Sequence, residues 1–152
     1  MKLGVFNPLF QNMSFLEMLD HVKESGLEAV EIGTGGYPGN AHCDVDRLLD
    51  SEDARREYLS EFEDRGLVIS AFSCHGNPIS PDDTFRNESD EALRKTIKLA
   101  ALMEVPVVNT FSGTPAGNET DTSVNWPVTP WPEEYSRIKE WQWENRLVPY
   151  WK

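Results

Sequence analysis

The chain predicts an α/β protein whose strands run parallel in one sheet, each followed by a loop and a helix. Three observations carry this. Apolar, β-branched runs begin near residues 2, 28, 67 and 105. Between them lie segments with apolar residues at helical spacing, opened by capping residues and closed by glycine. The runs end in polar or glycine-rich loops, and only short turns lead from a helix to the next strand. One crossover helix per strand is what parallel pairing requires.

Lys2–Phe6 reads as a short buried strand. Ser14 then caps a helix, with Glu17 completing a capping box. Phe15, Met18, Leu19 and Val22 share one face of it, and Gly26 ends it. Leu27–Ile32 is the second strand, leaving into the loop GTGGYPGNAH. A second helical region runs from about Asp46 to Arg65, with Ala54, Tyr58, Leu59 and Phe62 on one side and Gly66 as its stop. The third strand is the apolar part of LVISAFSCHGNPISP, residues 67–81, which turns abruptly polar at Ser73, Cys74, His75, Gly76 and Asn77. Ser89 opens a third helix, with Leu93, Ile97, Ala100 and Ala101 on its buried stripe. Val105–Phe111 is the fourth strand, followed by a long loop. Trp131 to about Asn145 reads as helix, with Trp131, Tyr135, Ile138 and Trp141 on one side.

Long loops after strands and short turns after helices are the arrangement of the (β/α)8 barrel, whose functional residues stand at the strand C-termini. A full barrel takes roughly 250 residues. The 152 residues here hold four units, so residues 1–152 read as the N-terminal half of such a barrel, one TIM-barrel domain cut at its middle. Pro149 reads as the first position of a further helix, with Tyr150, Trp151 and Lys152 as its first turn. A complete, small doubly wound domain is the alternative.

The formal charge of −12, from 26 acids and 14 bases, repels phosphate backbones and anionic membranes. Nucleic acid and membrane are therefore not expected partners. No apolar run approaches the ~20 residues that span a bilayer, and the opening MKLGVFNPLF is too short to read as a signal peptide. Cys43 and Cys74 are isolated, as suits two reduced thiols in a cytoplasm.

His75 is the first candidate for chemistry. It follows a buried strand and precedes Gly76, where a ligand can approach the backbone, and a histidine there can orient a hydroxyl, shuttle a proton or bind metal. Its alternative is a loop histidine satisfied by a backbone carbonyl. Asn77 shares the strand-end argument. Glu31 interrupts an apolar strand and reads either as a pocket-facing acid or base, or as the partner of a helix cation on the outer face. Trp126, in a loop rather than on a helical stripe, can pack on the apolar face of a sugar ring or staple the loop down. Phe6 and Phe111, at strand ends, can line the same pocket. The loop Gly33–Gly39 fits neither GxGxxG nor a P-loop and reads as a flexible cover over the barrel mouth. His42 reads as exposed and His21 as a helix-surface residue. With three histidines and no HExxH, no complete metal site can be drawn.

On MKLGVF, GLEAVEIGTG, SAFSCHGNP, NTFSG and SVNWPVTPWPEEYSRIKEWQW, the chain resembles the xylose isomerase-like barrels, the sugar phosphate isomerases and epimerases related in fold to the endonuclease IV group. The resemblance spans the whole chain, with SCHGNP and NWP…W…W its more specific parts. It implies proton transfer next to the carbonyl of a sugar or polyol, with a divalent metal (Mg, Mn, Co or Zn) held by Glu, Asp, His and Glu of later strands that this sequence does not include. His75 matches a third-strand histidine that faces substrate in that family, and Trp126 falls in the family's loop after strand four. The expected protein is an isomerase or epimerase whose 152 residues alone do not turn over. A noncatalytic half-barrel that folds as a homo-oligomer or with a partner chain is the second reading. An abasic-site endonuclease, which needs a histidine-rich site and a basic groove, is the third.

Overall fold

A computed structural model describes residues 1–152, which form two compact units: residues 1–75 with 92–110, and residues 76–91 with 111–152. The first unit holds the whole sheet. Strands β1 (Gly4–Phe6), β2 (Ala29–Gly36), β3 (Val68–His75) and β4 (Val108–Asn109) lie in that order, every neighbouring pair parallel. The α/β expectation therefore holds. β2 is longer than its apolar run because Gly35 and Gly36 still pair with Cys74 and His75. β4 is shorter, since Pro106 has no N–H for a ladder and only Val108 and Asn109 pair with β3.

Helix α1 (Phe15–Glu24) begins at the capping box: Ser14 Oγ accepts the Glu17 N–H, and the Glu17 carboxylate accepts the Ser14 N–H at 2.8 Å. These bonds hold the Glu17 carboxyl below its usual range. Gly26 closes the helix at φ 75°, a conformation only glycine adopts without strain. The second helical region is two helices, α2 (Val45–Asp50) and α3 (Glu52–Glu63). They break at Ser51, which is extended and accepts the Ala54 N–H on its hydroxyl. Arg55 donates to the Leu48 and Leu49 carbonyls, so the end of α2 is satisfied from α3.

The core lies between one sheet face and these helices. Val30 and Ile32 of β2 and Phe72 of β3 are fully buried, with Met18, Leu19 and Val22 of α1 and Phe62 of α3 in the same cluster. Phe15 stacks on Tyr58 at 4.6 Å. Each such side chain contributes about 1.5–3 kcal/mol by leaving water.

Helix α4 (Asp83–Leu102) starts six residues before the expected Ser89, because Asp82 Oδ1 accepts the Phe85 N–H and supplies the cap. Its buried stripe is also shifted: Leu93, Thr96, Leu99 and Ala100 are buried, whereas Ile97 is half exposed. Thr96 takes a core position because its hydroxyl is bonded to Thr34 Oγ1 at 2.9 Å, and Thr34 donates onward to the Ser73 carbonyl.

In the second unit, α5 (Glu133–Gln142) runs into a π-helical turn (Trp143–Leu147) and then α6 (Val148–Trp151). Pro149 thus stands in the first turn of α6, as expected, and α6 continues directly from the π turn. A proline gives no N–H to the carbonyl a turn earlier, and the π turn directly before it is where the hydrogen-bond register changes. Trp131 precedes α5 and is 80% exposed. The side chain that roots α5 is Gln142, whose Nε2 donates to the carbonyls of Pro115, Ala116 and Asn125.

Candidate functional site

Parallel register sets Phe6 and Glu31 in one row of the sheet, where Glu31 faces Ala71, and Ser73 and Asn109 in the row two residues further along. Phe6 pairs with Glu31 across β1–β2, Gly33 with Ser73 across β2–β3, and Ser73 with Asn109 across β3–β4. Val30 and Ile32 are buried in the helix-facing core, so Glu31 between them emerges on the other face. Ser73, between buried Phe72 and Cys74, does the same. The side chains then meet. Ser73 Oγ donates to Glu31 Oε1, and Asn109 Nδ2 donates to the same oxygen at 2.9 Å. Ser73 is fully buried and Glu31 half-buried.

The Glu31 carboxylate is thereby oriented by two donors from two other strands. Its second oxygen, Oε2, takes no hydrogen bond from the chain. Of the two readings of Glu31, the structure gives the face away from the helices, with no cation beside it. Phe6 and His75 lie at the ends of β1 and β3 with ring centroids 6.1 Å apart and planes tilted by 50°. The His75 carbonyl accepts the Tyr37 N–H at 2.8 Å, which ties the β2 turn to the β3 end. Chemically the sheet presents a fixed carboxylate within β2 and, at the ends of β1 and β3, an aromatic face and an imidazole. Such a group can bind hydroxyls and accept or return a proton.

The remaining candidates belong to the second unit. Asn77 has both amide atoms engaged with Thr114: Nδ2 donates to its carbonyl at 2.8 Å and Oδ1 accepts its N–H at 2.9 Å. Phe111 is 52% exposed. Trp126 is 68% exposed and borders an open cleft of about 250 Å³ with Trp143, Lys139 and Pro127.

His42 corrects the sequence reading: it is buried rather than exposed. Its Nε2 donates to the Met13 carbonyl at 2.9 Å and its Nδ1 accepts from Asn7 Nδ2 at 2.8 Å. His21 meets the edge of Phe10 at 5.4 Å. In the glycine-rich loop, Gly33 donates its N–H to Asn7 Oδ1, and a Cβ at Gly33 would stand 2.9 Å from the Gly39 carbonyl oxygen. The loop folds tightly back on the strand, and this amide is not available to a phosphate. Both thiols are quiet: burial pushes Cys43 up to about 12 and raises Cys74 as well.

Sequence reasoning missed Ser73 and Asn109 as functional partners. Their signal was a polar residue within an otherwise apolar strand, and only register shows that both reach Glu31. No group of three or more His, Cys, Asp or Glu side chains converges to hold a metal ion. The donors around Glu31 are a hydroxyl and an amide N–H, which compete for the carboxylate rather than coordinate a cation beside it. The residues present do not fit a divalent metal centre.

The sequence model of the xylose isomerase-like TIM barrel family matches residues 19–141. The chain is 34% identical, over its whole length, to the uncharacterized protein YfiH of Bacillus subtilis (strain 168), of which it covers 49%. Among solved structures it is similar to a "Putative Xylose isomerase" from Rhodospirillum rubrum, with TM-score 0.57 and 19% identity over 92% of this chain and 47% of that one. It is also similar to the "probable 3-DHS dehydratase AsbF" of Bacillus anthracis, with TM-score 0.53 and 22% identity over 92% of this chain and 46% of that one. The chain spans about half the length of each protein it matches, and its four parallel strands correspond to half of a TIM barrel.

Proposed function

This chain belongs to the xylose isomerase-like TIM barrel family, and we propose that it supplies the sugar- or polyol-facing half of an isomerase- or epimerase-type site. The observation that carries this reading is the Glu31 carboxylate held by Ser73 and Asn109 across three parallel strands. A carboxylate whose one oxygen is fixed by the protein directs the other at a ligand without losing further side-chain freedom. Glu31 takes the role of hydroxyl acceptor or proton acceptor at the carbon next to a carbonyl. His75 takes that of proton donor to the carbonyl oxygen, and Phe6 packs on the apolar face of the carbon chain. The proton leaves carbon for the Glu31 carboxylate as His75 protonates the carbonyl oxygen, giving an enediol; the proton then returns to the former carbonyl carbon, or to the opposite face of its own, and the hydroxyl that becomes the carbonyl gives its proton back to His75. Metal assistance, where the reaction uses it, comes from ligands other than these.

The test is an NMR titration of the 152-residue chain with aldoses, ketoses, polyols and their phosphates. Saturable shifts at Phe6, Glu31, Ser73 and His75 are expected. Absence of any shift across the panel overturns the proposal. Added Mg, Mn, Co or Zn is expected to produce no exchange of the carbon-bound proton with deuterium oxide, because no ligand cluster is present. Metal-dependent exchange would show a centre these residues do not form.

A further inference from the structure

We propose that His42 is a positioning residue for the strand-end site, acting through Asn7 on Gly33. This role rests on the proposed sugar site for its function, but not for its geometry. The contacts form one directed relay. Met13 offers only a carbonyl, so His42 Nε2 carries the proton and donates at 2.9 Å. His42 Nδ1 is then a bare acceptor and receives Asn7 Nδ2–H at 2.8 Å. That fixes the Asn7 amide, whose Oδ1 faces the Gly33 N–H at 2.7 Å. The imidazole thus selects the rotamer of the asparagine, and the asparagine holds the strand.

Where the relay ends gives it meaning. β1 stops at Phe6, paired with Glu31, and the chain turns into a 3-10 helix at Asn7. The Asn7 side chain bonds the backbone of β2 just where β1 leaves it. Gly33 is two residues beyond Glu31 and is the register partner of Ser73, the hydroxyl that orients Glu31. Phe6, beside His75, is the residue before Asn7. His42 therefore touches none of the proposed site residues yet fixes the backbone under two of them. It is itself clamped: Tyr58, on α3, donates its hydroxyl to the His42 carbonyl at 3.0 Å. Asn7 and His42 are 3% and 4% exposed, so water does not replace a lost bond freely.

Two substitutions separate positioning from bulk. His42→Asn keeps an acceptor for Asn7 but loses volume, and His42→Leu keeps volume but loses the acceptor. Hydrogen exchange of the Gly33 amide is expected to accelerate about 2- to 10-fold in His42→Leu and to stay near wild type in His42→Asn, the effect of one buried hydrogen bond. Sugar affinity is expected to follow the same order. Long-range nitrogen NMR of the unmodified chain, which needs no variant to fold, is expected to show the imidazole protonated at Nε2 and bare at Nδ1. A proton on Nδ1 alone, or slow Gly33 exchange in His42→Leu, overturns the proposal. If no sugar binds the unmodified chain while tautomer and exchange behave as stated, the functional reading fails and the relay stands.

Discussion

The bond between Glu31 and Ser73 joins strands 42 positions apart in sequence and is the contact on which the proposed site depends. A double-mutant cycle with Glu31→Gln and Ser73→Ala measures it. A hydrogen bond to a charged group contributes about 1.5–3 kcal/mol, against about 0.5–1.5 for a neutral pair. Glu31 is half-buried, which screens its charge and places each bond at the lower end of that range. Ser73→Ala removes one donor and is expected to cost about 1.5 kcal/mol. Glu31→Gln keeps an oxygen for Ser73 and Asn109 but loses the charge, at a cost of about 1 kcal/mol. Because Gln still accepts a neutral bond from Ser73, what the two changes share is the charged part of that bond, and the double variant is expected to be less destabilised than the sum by about 1 kcal/mol. Urea unfolding followed by far-ultraviolet circular dichroism gives the three values, provided the slope with urea stays constant. Strict additivity, within about 0.3–0.5 kcal/mol, would mean that the two side chains do not meet. The carboxylate would then lack the orientation the proposed chemistry requires.

Two further outcomes follow from groups outside that cluster. Cys43 is pushed up to about 12, and burial raises Tyr58 too, so both stay protonated in the native state at pH values where the unfolded chain releases its protons. Above about pH 9 the unfolded chain binds fewer protons than the native one, and stability must fall as pH rises, by up to about 1.4 kcal/mol per unit for each group. Urea midpoints at pH 8 and 10.5 check the sign, and Cys43→Ala should flatten the dependence. In the second unit, Gln142→Leu removes the donor shared by the Pro115, Ala116 and Asn125 carbonyls. It is expected to destabilise that unit by about 2–3 kcal/mol, read as an earlier fluorescence transition of Trp126 and Trp143. An unchanged transition would show that Gln142 does not hold the loop to α5.

The parallel order of the strands was legible because each cue is local. Ser14 and Glu17 form the capping box within a few residues, Gly26 and Gly66 stop helices at positive φ, and the apolar runs need only the inside of a core. What the sequence concealed is what depends on register. Nothing in VEIG or VVNTF says that Glu31 and Asn109 meet; Glu31 pairs with Ala71 and Asn109 with Ser73 two residues on, and only the side chains reaching across that offset bring them together. Thr96 shows the same limit from the other side. It reads as a polar residue off the helix stripe, yet it is fully buried because Thr34, 62 positions away, satisfies its hydroxyl.

His42 is the sharpest instance. A lone histidine in a glycine-rich loop carries no periodicity, so exposure is the reasonable sequence expectation. It is buried because three separate segments offer it complementary groups: a carbonyl from Met13, an amide from Asn7 and a hydroxyl from Tyr58 on its backbone. Burying a polar ring in this way is tolerable only when every polar atom finds its partner, and here each does. Helix capping and hydrophobic spacing therefore suffice to build the half-barrel, whereas the geometry of its strand ends comes from polar pairs distant in sequence. The candidate site and the relay beneath it both use such pairs. Substitutions at Ser73, Asn7 or His42 should accordingly disturb ligand contacts more than they disturb the fold, the reverse of what is expected at Val30 or Phe72.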